Sequence, residues 1–237
     1  MNKHHPLTRT ALAAAAILVA GWAWVGSTAA AESAVTLPAP ALDTPVQSAR
    51  ETAVFAGGCF WGVQAVFQHT KGVLNAVSGY AGGDKATANY DTVSSGRTGH
   101  AEAVQVSYDP KQISYGKLLQ IYFSVAHDPT QVNRQYPDSG TQYRSAVFYQ
   151  TAQQQQVARQ YIAQLNAAKV FPGKIATQVA PLTAFYTAEA YHQDYATHNP
   201  NSPYIAKFDL PKIENLKRLF ATDYREAPVL VGAATGG

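Results

Sequence analysis

The sequence predicts an α+β fold, a two-layer sandwich with a ferredoxin-like βαββαβ core and extra C-terminal helices and loops. Three observations predict it. Short apolar runs with strand alternation recur at 52–56, 72–80, 101–108 and 145–149. Helical patterns stand between the first and second runs and between the third and fourth, which spells βαββαβ. The helical segments then have one sheet face to cover, the arrangement of a two-layer sandwich.

The elements are expected in this order. A strand at 52–56 ends in Gly57-Gly58 and turns into a helix from Cys59 to about Gln68. A strand at 72–80 is followed by a polar, glycine-containing loop at 81–99. Next come a strand at 101–108, a helix at 114–126, a second loop at 128–144 and a strand at 145–149. A helix at 152–168, a strand at 175–180 and a helix at 188–198 complete the series. The folded, catalytic part is expected over 51–220. Residues 32–50, rich in Ala and Pro without periodicity, are expected to form a flexible linker, and 221–237 a flexible tail.

The chain has 237 residues, 46% of them hydrophobic and 11% aromatic, enough for one sizeable core. The formal net charge is +3, and two of the cations, Lys3 and Arg9, lie near the N-terminus. No basic block with interleaved aromatics is present, which argues against a nucleic-acid partner. Lys3 and Arg9 precede an apolar run from Ala11 to Val25, and Ser27-Thr28-Ala29-Ala30-Ala31 offers a small-residue cleavage site before Glu32. Residues 1–31 therefore read as a secretory signal peptide, and the protein is expected to be exported, with a periplasmic location. An uncleaved membrane anchor is the rival reading.

Export gives the cysteine count its meaning. Exported proteins usually carry cysteines in pairs, yet this sequence has one, Cys59. It falls in the first turn of the expected helix, where free N–H groups and the helix dipole favour a thiolate, so a depressed pKa is expected. A buried packing cysteine is the plainer alternative. At 100° per residue, Val63, Val66 and Phe67 form the apolar stripe, with Phe60 near its edge and Trp61 roughly 160° from its centre. Trp61 must therefore be covered by a loop or by an apolar ligand group.

Strand alternation places Glu102 on the same face as Val104, Val106 and Tyr108, the more apolar one. A carboxyl there is poorly solvated, its pKa rises, and it can serve as a general acid. The alternative is a glutamate at the strand mouth paired with Arg97, Arg134 or Arg144. The run Asp138-Ser139-Gly140-Thr141-Gln142-Tyr143-Arg144-Ser145 brings a carboxylate and a phenol towards the sheet end, or serves only as turn chemistry.

Four motifs together resemble methionine sulfoxide reductase A, the peptide-methionine (S)-S-oxide reductases. They are Gly57-Gly58-Cys59-Phe60-Trp61-Gly62, the stretch from Ser95 through Val104, Asp138 through Ser145, and Ala188 through Tyr195. The resemblance implies that Cys59 is the nucleophile that attacks the sulfoxide sulfur and becomes a sulfenic acid. It implies that Glu102 protonates the departing oxygen and that Tyr90 and Tyr143 hydrogen-bond that oxygen. Asp138 is implied to organise the site, and Phe60 and Trp61 to receive the S-methyl group. No bound cofactor is implied. Methionine S-sulfoxide, free or in oxidised proteins and peptides, is the expected substrate of a monomer that repairs exported proteins. Many relatives resolve the sulfenic acid with further cysteines, but 207–237 contains none and Ser94 stands where some relatives have cysteine. An external thiol, from a thioredoxin-like protein or a low-molecular-weight thiol, must then do it.

Two other classes fit parts of the pattern. One is a cysteine hydrolase or acyltransferase with His100 or His192 as base. The other is a peptide-binding module built on Phe60 and Trp61. A metal site is the weakest reading, because His100, Glu102, His192 and His198 form no known ligand spacing.

Overall fold

The structure, a computed structural model, describes Met1 and residues 34–232. The expected signal peptide lies outside the described residues, Met1 apart. Among the described residues no helix is long and apolar enough to cross a membrane.

Strand β1 (Glu51–Ala56) leads into helix α1 (Phe60–Gln68), then β2 (Val73–Ala81), the short helix α2 (Tyr90–Val93) and β3 (Ala101–Tyr108). Helix α3 (Tyr115–Ile121) runs on into a wider π-type turn at Tyr122–Ala126. Two-residue strands β4 (Arg134–Gln135) and β5 (Asp138–Ser139) pair with each other. They are followed by β6 (Ala146–Tyr149), α4 (Ala152–Ala167), β7 (Gln178–Pro181), β8 (Phe185–Thr187), α5 (Tyr195–His198) and α6 (Leu210–Leu219).

The main sheet has the order β7-β6-β1-β3-β2-β8. Its centre, β6-β1-β3-β2, is antiparallel throughout and is the split arrangement expected of a βαββαβ core. The additions sit at the edges: β7 joins β6 in parallel and β8 joins β2 antiparallel. Alternation sorts the side chains as the sequence reading required. Phe55, Val104, Val106 and Tyr108 join Val63, Val66, Phe67, Leu118 and Tyr122 in the core under the helices. Val54, Ala56, Ala101, Ala103 and Phe148 form a smaller cluster on the other face, with Leu182 and Phe185 packed against it.

Several expectations need correction. The single helix expected at 188–198 is instead a 3-10 turn at Ala190–His192, an extended Gln193, a left-handed Asp194 (φ 57°) and the one-turn α5. The break exists because these polar side chains bond to neighbouring elements rather than to solvent. Gln193 bonds Ser78 and Gln64, and Asp194 bonds Gln64 and Gln68. The strand β8 and the helix α6 had no sequence expectation, and the loops at 81–99 and 128–144 carry α2, β4 and β5.

The segment expected as a flexible linker is laid down on the domain. Val35 N–H donates to the Ser124 carbonyl, Leu37 is buried, and the Leu37 and Pro38 carbonyls accept from Gln120 and Tyr161. Asp43 accepts from the Ser114 hydroxyl and from Gly116 N–H. The expected tail is likewise anchored as far as Val231, whose N–H donates to the Asp194 carboxylate, and the Tyr224 ring stacks on His69. Composition concealed this, because these contacts use backbone groups and scattered apolar residues without a period.

Candidate active site

Gly58, with φ +88°, turns the chain from β1 into α1 in a conformation that side chains rarely adopt. Cys59 becomes the residue that caps α1, and Phe60 and Trp61 occupy its first turn. The backbone N–H of Phe60 donates to Glu102 Oε2 at 3.0 Å. That bond joins the start of α1 to the start of β3 and sets the glutamate beside the cysteine.

Glu102 is 3% exposed, and desolvation by burial raises its pKa to about 8, against the opposing pull of the Phe60 N–H. None of the three arginines offered as its ion-pair partner fills that role among the described residues. Arg144 donates to the Gly99, His100 and Thr141 carbonyls instead. Those bonds clip the turn that carries Tyr143 onto the entrance of β3. Glu102 is therefore a buried carboxyl and not half of a surface ion pair.

Cys59 departs from expectation. It is 9% exposed, and its thiol pKa is raised, not depressed. Burial is the main cause, and the nearby Glu102 and Asp209 carboxyls add to it. The Trp61 N–H acts in the thiolate-favouring direction and is outweighed. The N–H groups at the helix start do contribute, but desolvation and carboxyls brought in from elsewhere in the chain outweigh them.

The other expected residues gather around this pair. Tyr90 and Tyr143 both have raised pKa values, through burial first, and both feel the charges of Glu102 and Cys59. Asp138 accepts a hydrogen bond from Tyr204, and burial raises its pKa. Phe60 is buried between Tyr80 and His192. Trp61 is covered by protein rather than left for a ligand alone. Its indole stacks on Tyr195 at 3.9 Å, meets Tyr204 edge-on, and donates Nε1–H to His192 Nδ1 at 3.2 Å.

The late motif holds this assembly. The Glu189 carboxylate accepts from Tyr80 Oη–H and Tyr90 N–H, fixing α2 against β2. His192 touches Phe60, Trp61 and Tyr90 at once. Because Nδ1 accepts from Trp61, its proton is on Nε2, and burial lowers its pKa.

Three residues of the C-terminal region were missed by sequence reasoning: Tyr204, Asp209 and Lys212. Asp209 is fully buried and pairs with Lys212 at 3.3 Å. A Cβ on Gly62 would come within 2.1 Å of Asp209 Oδ1, so the glycine of the cysteine motif makes room for this pair. The available signal was an Asp and a Lys three residues apart at the start of an amphipathic helix, with Pro211 in its first turn.

The histidine that a thiol hydrolase requires is not in place. Among the described residues no histidine ring hydrogen-bonds Cys59. His100 is held by the Asp84 carbonyl, His127 by Ser145 and the Tyr122 carbonyl, and His192 by Trp61. Among the same residues there is no group of three His, Cys, Asp or Glu side chains able to hold a metal.

Such a fold brings one buried cysteine and one buried carboxyl together among phenols and apolar rings, with no histidine hydrogen-bonded to the thiol among the described residues. The family model for peptide methionine sulfoxide reductase matches residues 51–224. A peptide methionine sulfoxide reductase MsrA 2 of Mesorhizobium japonicum is 58% identical over 194 residues, covering 82% of this chain and all of the relative. The MsrA of Deinococcus radiodurans is 44% identical over 206 residues, 86% of this chain and all of its own. Among solved structures, reduced Mxr1 of Saccharomyces cerevisiae aligns with a TM-score of 0.62 and 32% identity, over 68% of this chain and 92% of that one. Methionine sulfoxide reductase A of Corynebacterium diphtheriae aligns with 0.57 and 36%, over 72% and 86%. The chain belongs to the peptide methionine sulfoxide reductase family, and it reduces methionine sulfoxide to methionine.

Proposed function

We propose that Cys59 and Glu102 carry out this reduction as a nucleophile and acid pair on the S-epimer of methionine sulfoxide. The reading rests chiefly on the Glu102 carboxyl, buried, without a paired cation among the described residues, and tied by Phe60 N–H to the residue next to Cys59. Near neutral pH it holds a proton, as a general acid must. The Cys59 sulfur bonds to the sulfoxide sulfur while Glu102 gives its proton to the oxygen. The Cys59 thiol proton passes to Glu102, the oxygen ends on Cys59 as a sulfenic acid, and the thioether leaves. Two electrons have moved from the cysteine sulfur to the substrate sulfur.

The Tyr90 and Tyr143 phenols keep their protons and donate to the oxygen. Phe60 and Trp61 form the apolar wall for the S-methyl group, and Asp138 organises that wall through Tyr204, which meets Trp61 edge-on. With one cysteine in the sequence, the sulfenic acid is reduced by an external thiol, from a thioredoxin-like protein or a small thiol. The leader-like N-terminal sequence supports repair of exported proteins in the periplasm.

Single-turnover reduction without added thiol tests the chemistry. Excess N-acetyl-methionine S-sulfoxide is expected to give one equivalent of thioether per enzyme and a sulfenic acid on Cys59 that dimedone traps. Repeated turnover without thiol, or turnover by Cys59→Ser, would overturn the reading.

A further inference from the structure

Aromatic rings continue from the Trp61 wall out to the surface. Trp61 and Tyr204 have centroids 5.9 Å apart, Tyr204 and Phe208 5.1 Å, and Phe208 and Tyr136 5.9 Å. The first three rings are partly buried. Tyr136 at the end is 43% exposed, and its N–H donates to Gln131 Oε1 at 3.1 Å, which brings the segment carrying Val132, 68% exposed, back towards it. This outer end is not an independent patch. Tyr136 lies between β4 and β5, and β5 carries Asp138, which binds the Tyr204 hydroxyl. One short hairpin thus supplies both a residue at the sulfoxide site and an exposed aromatic beside it.

A methionine sulfoxide inside a polypeptide brings a chain on either side, and that chain has to leave over the rim. Tyrosine and phenylalanine present large rigid apolar area at low entropic cost, which suits a rim that receives varied sequences. An extended chain advances about 3.3 Å per residue, so three ring-to-ring steps underlie about four or five residues of it.

We propose that Tyr136, Phe208 and Val132 form a docking track for the polypeptide flanking the sulfoxide, with preference for an apolar or aromatic neighbour. The inference deepens the functional reading above and rests on it. Continuity with the sulfoxide site favours the substrate chain over the reductant as occupant.

The experiment compares acetyl-Met(O)-amide with hexapeptides carrying Phe or Ser beside the sulfoxide, with dithiothreitol as reductant so that no protein partner is needed. The parent enzyme is expected to prefer the Phe peptide by about tenfold in kcat/KM. Tyr136→Ser combined with Val132→Ser should reduce that preference to within about twofold and leave acetyl-Met(O)-amide unchanged, and Tyr136→Phe should retain it. An unchanged preference in the serine variant, or an equal loss on the small substrate, would overturn the track. So would an effect seen only when a thioredoxin-like protein replaces dithiothreitol, since the reductant would then be the occupant. Failure of the parent enzyme on every substrate would instead defeat the functional reading, and the track with it.

Discussion

At Cys59 and Glu102 the absence of solvent governs both side chains. Burial raises the thiol and the carboxyl together, and an ionised Glu102 would raise the cost of ionising Cys59 further. The resting pair is therefore neutral, and in the proposed mechanism it reacts when a sulfoxide oxygen arrives to take the Glu102 proton. Glu102→Gln removes that proton donor while keeping shape and polarity. It is expected to lower kcat by about 10²- to 10⁴-fold with little change in KM. In the parent enzyme kcat/KM should fall as pH rises through about 8, where the free enzyme's Glu102 loses its proton, and the variant should lack that fall. Stopped-flow reduction across pH checks both, and a KM effect with unchanged kcat would contradict the assignment. Much of this was readable beforehand, because strand parity put Glu102 on the apolar face and the paired glycines put Cys59 at a turn. The sign of the Cys59 shift was not, since burial, its largest cause, arises only from packing across the fold, and Asp209, 150 residues away in sequence, adds to it there.

Helix α1 is held from below by a pair whose local spacing gave no hint of its partner at Gly62. Asp209 and Lys212 lie against Gly62, and any side chain at Gly62 displaces them. Gly62→Ala would be helix-favouring on an exposed surface. Here it is expected to destabilise by about 2 kcal/mol or more, because overpacking and disturbance of a buried charge pair outweigh propensity. Urea unfolding checks this, and an unchanged or higher midpoint would show that the pair yields at no cost. The 188–198 region teaches the same lesson in reverse. Its composition suits a helix, yet Gln193 and Asp194 satisfy buried donors and acceptors on β2 and α1, and those bonds override propensity. Elements with a strong period, β1, α1, β3 and α4, were placed within a residue or so. Those defined by side-chain bonding were not.

Across the whole molecule, the βαββαβ centre is the part that alternation and helix spacing could specify, since each run needs only its own residues to reveal a face. The boundary of the domain could not be read that way. Leu37 and Pro38 lie along α3 and α4, and Val231 is tied to Asp194 beside α1, so chain on both sides of the expected 51–220 core contributes to it. Leu37, 4% exposed, separates a structural strap from a loose tether. Leu37→Ala is expected to cost about 2–3 kcal/mol in urea unfolding, whereas a tether would lose nothing.

The proton on Glu102 is the point on which the chemistry turns. Infrared difference spectra of the parent protein against Glu102→Gln, recorded across pH, report it directly through the carboxylic-acid carbonyl band. The band should persist at neutral pH and disappear with a midpoint near 8. A midpoint in the ordinary glutamate range, about 4.3, would mean that Glu102 is a carboxylate at working pH and that the proton for the sulfoxide oxygen comes from elsewhere.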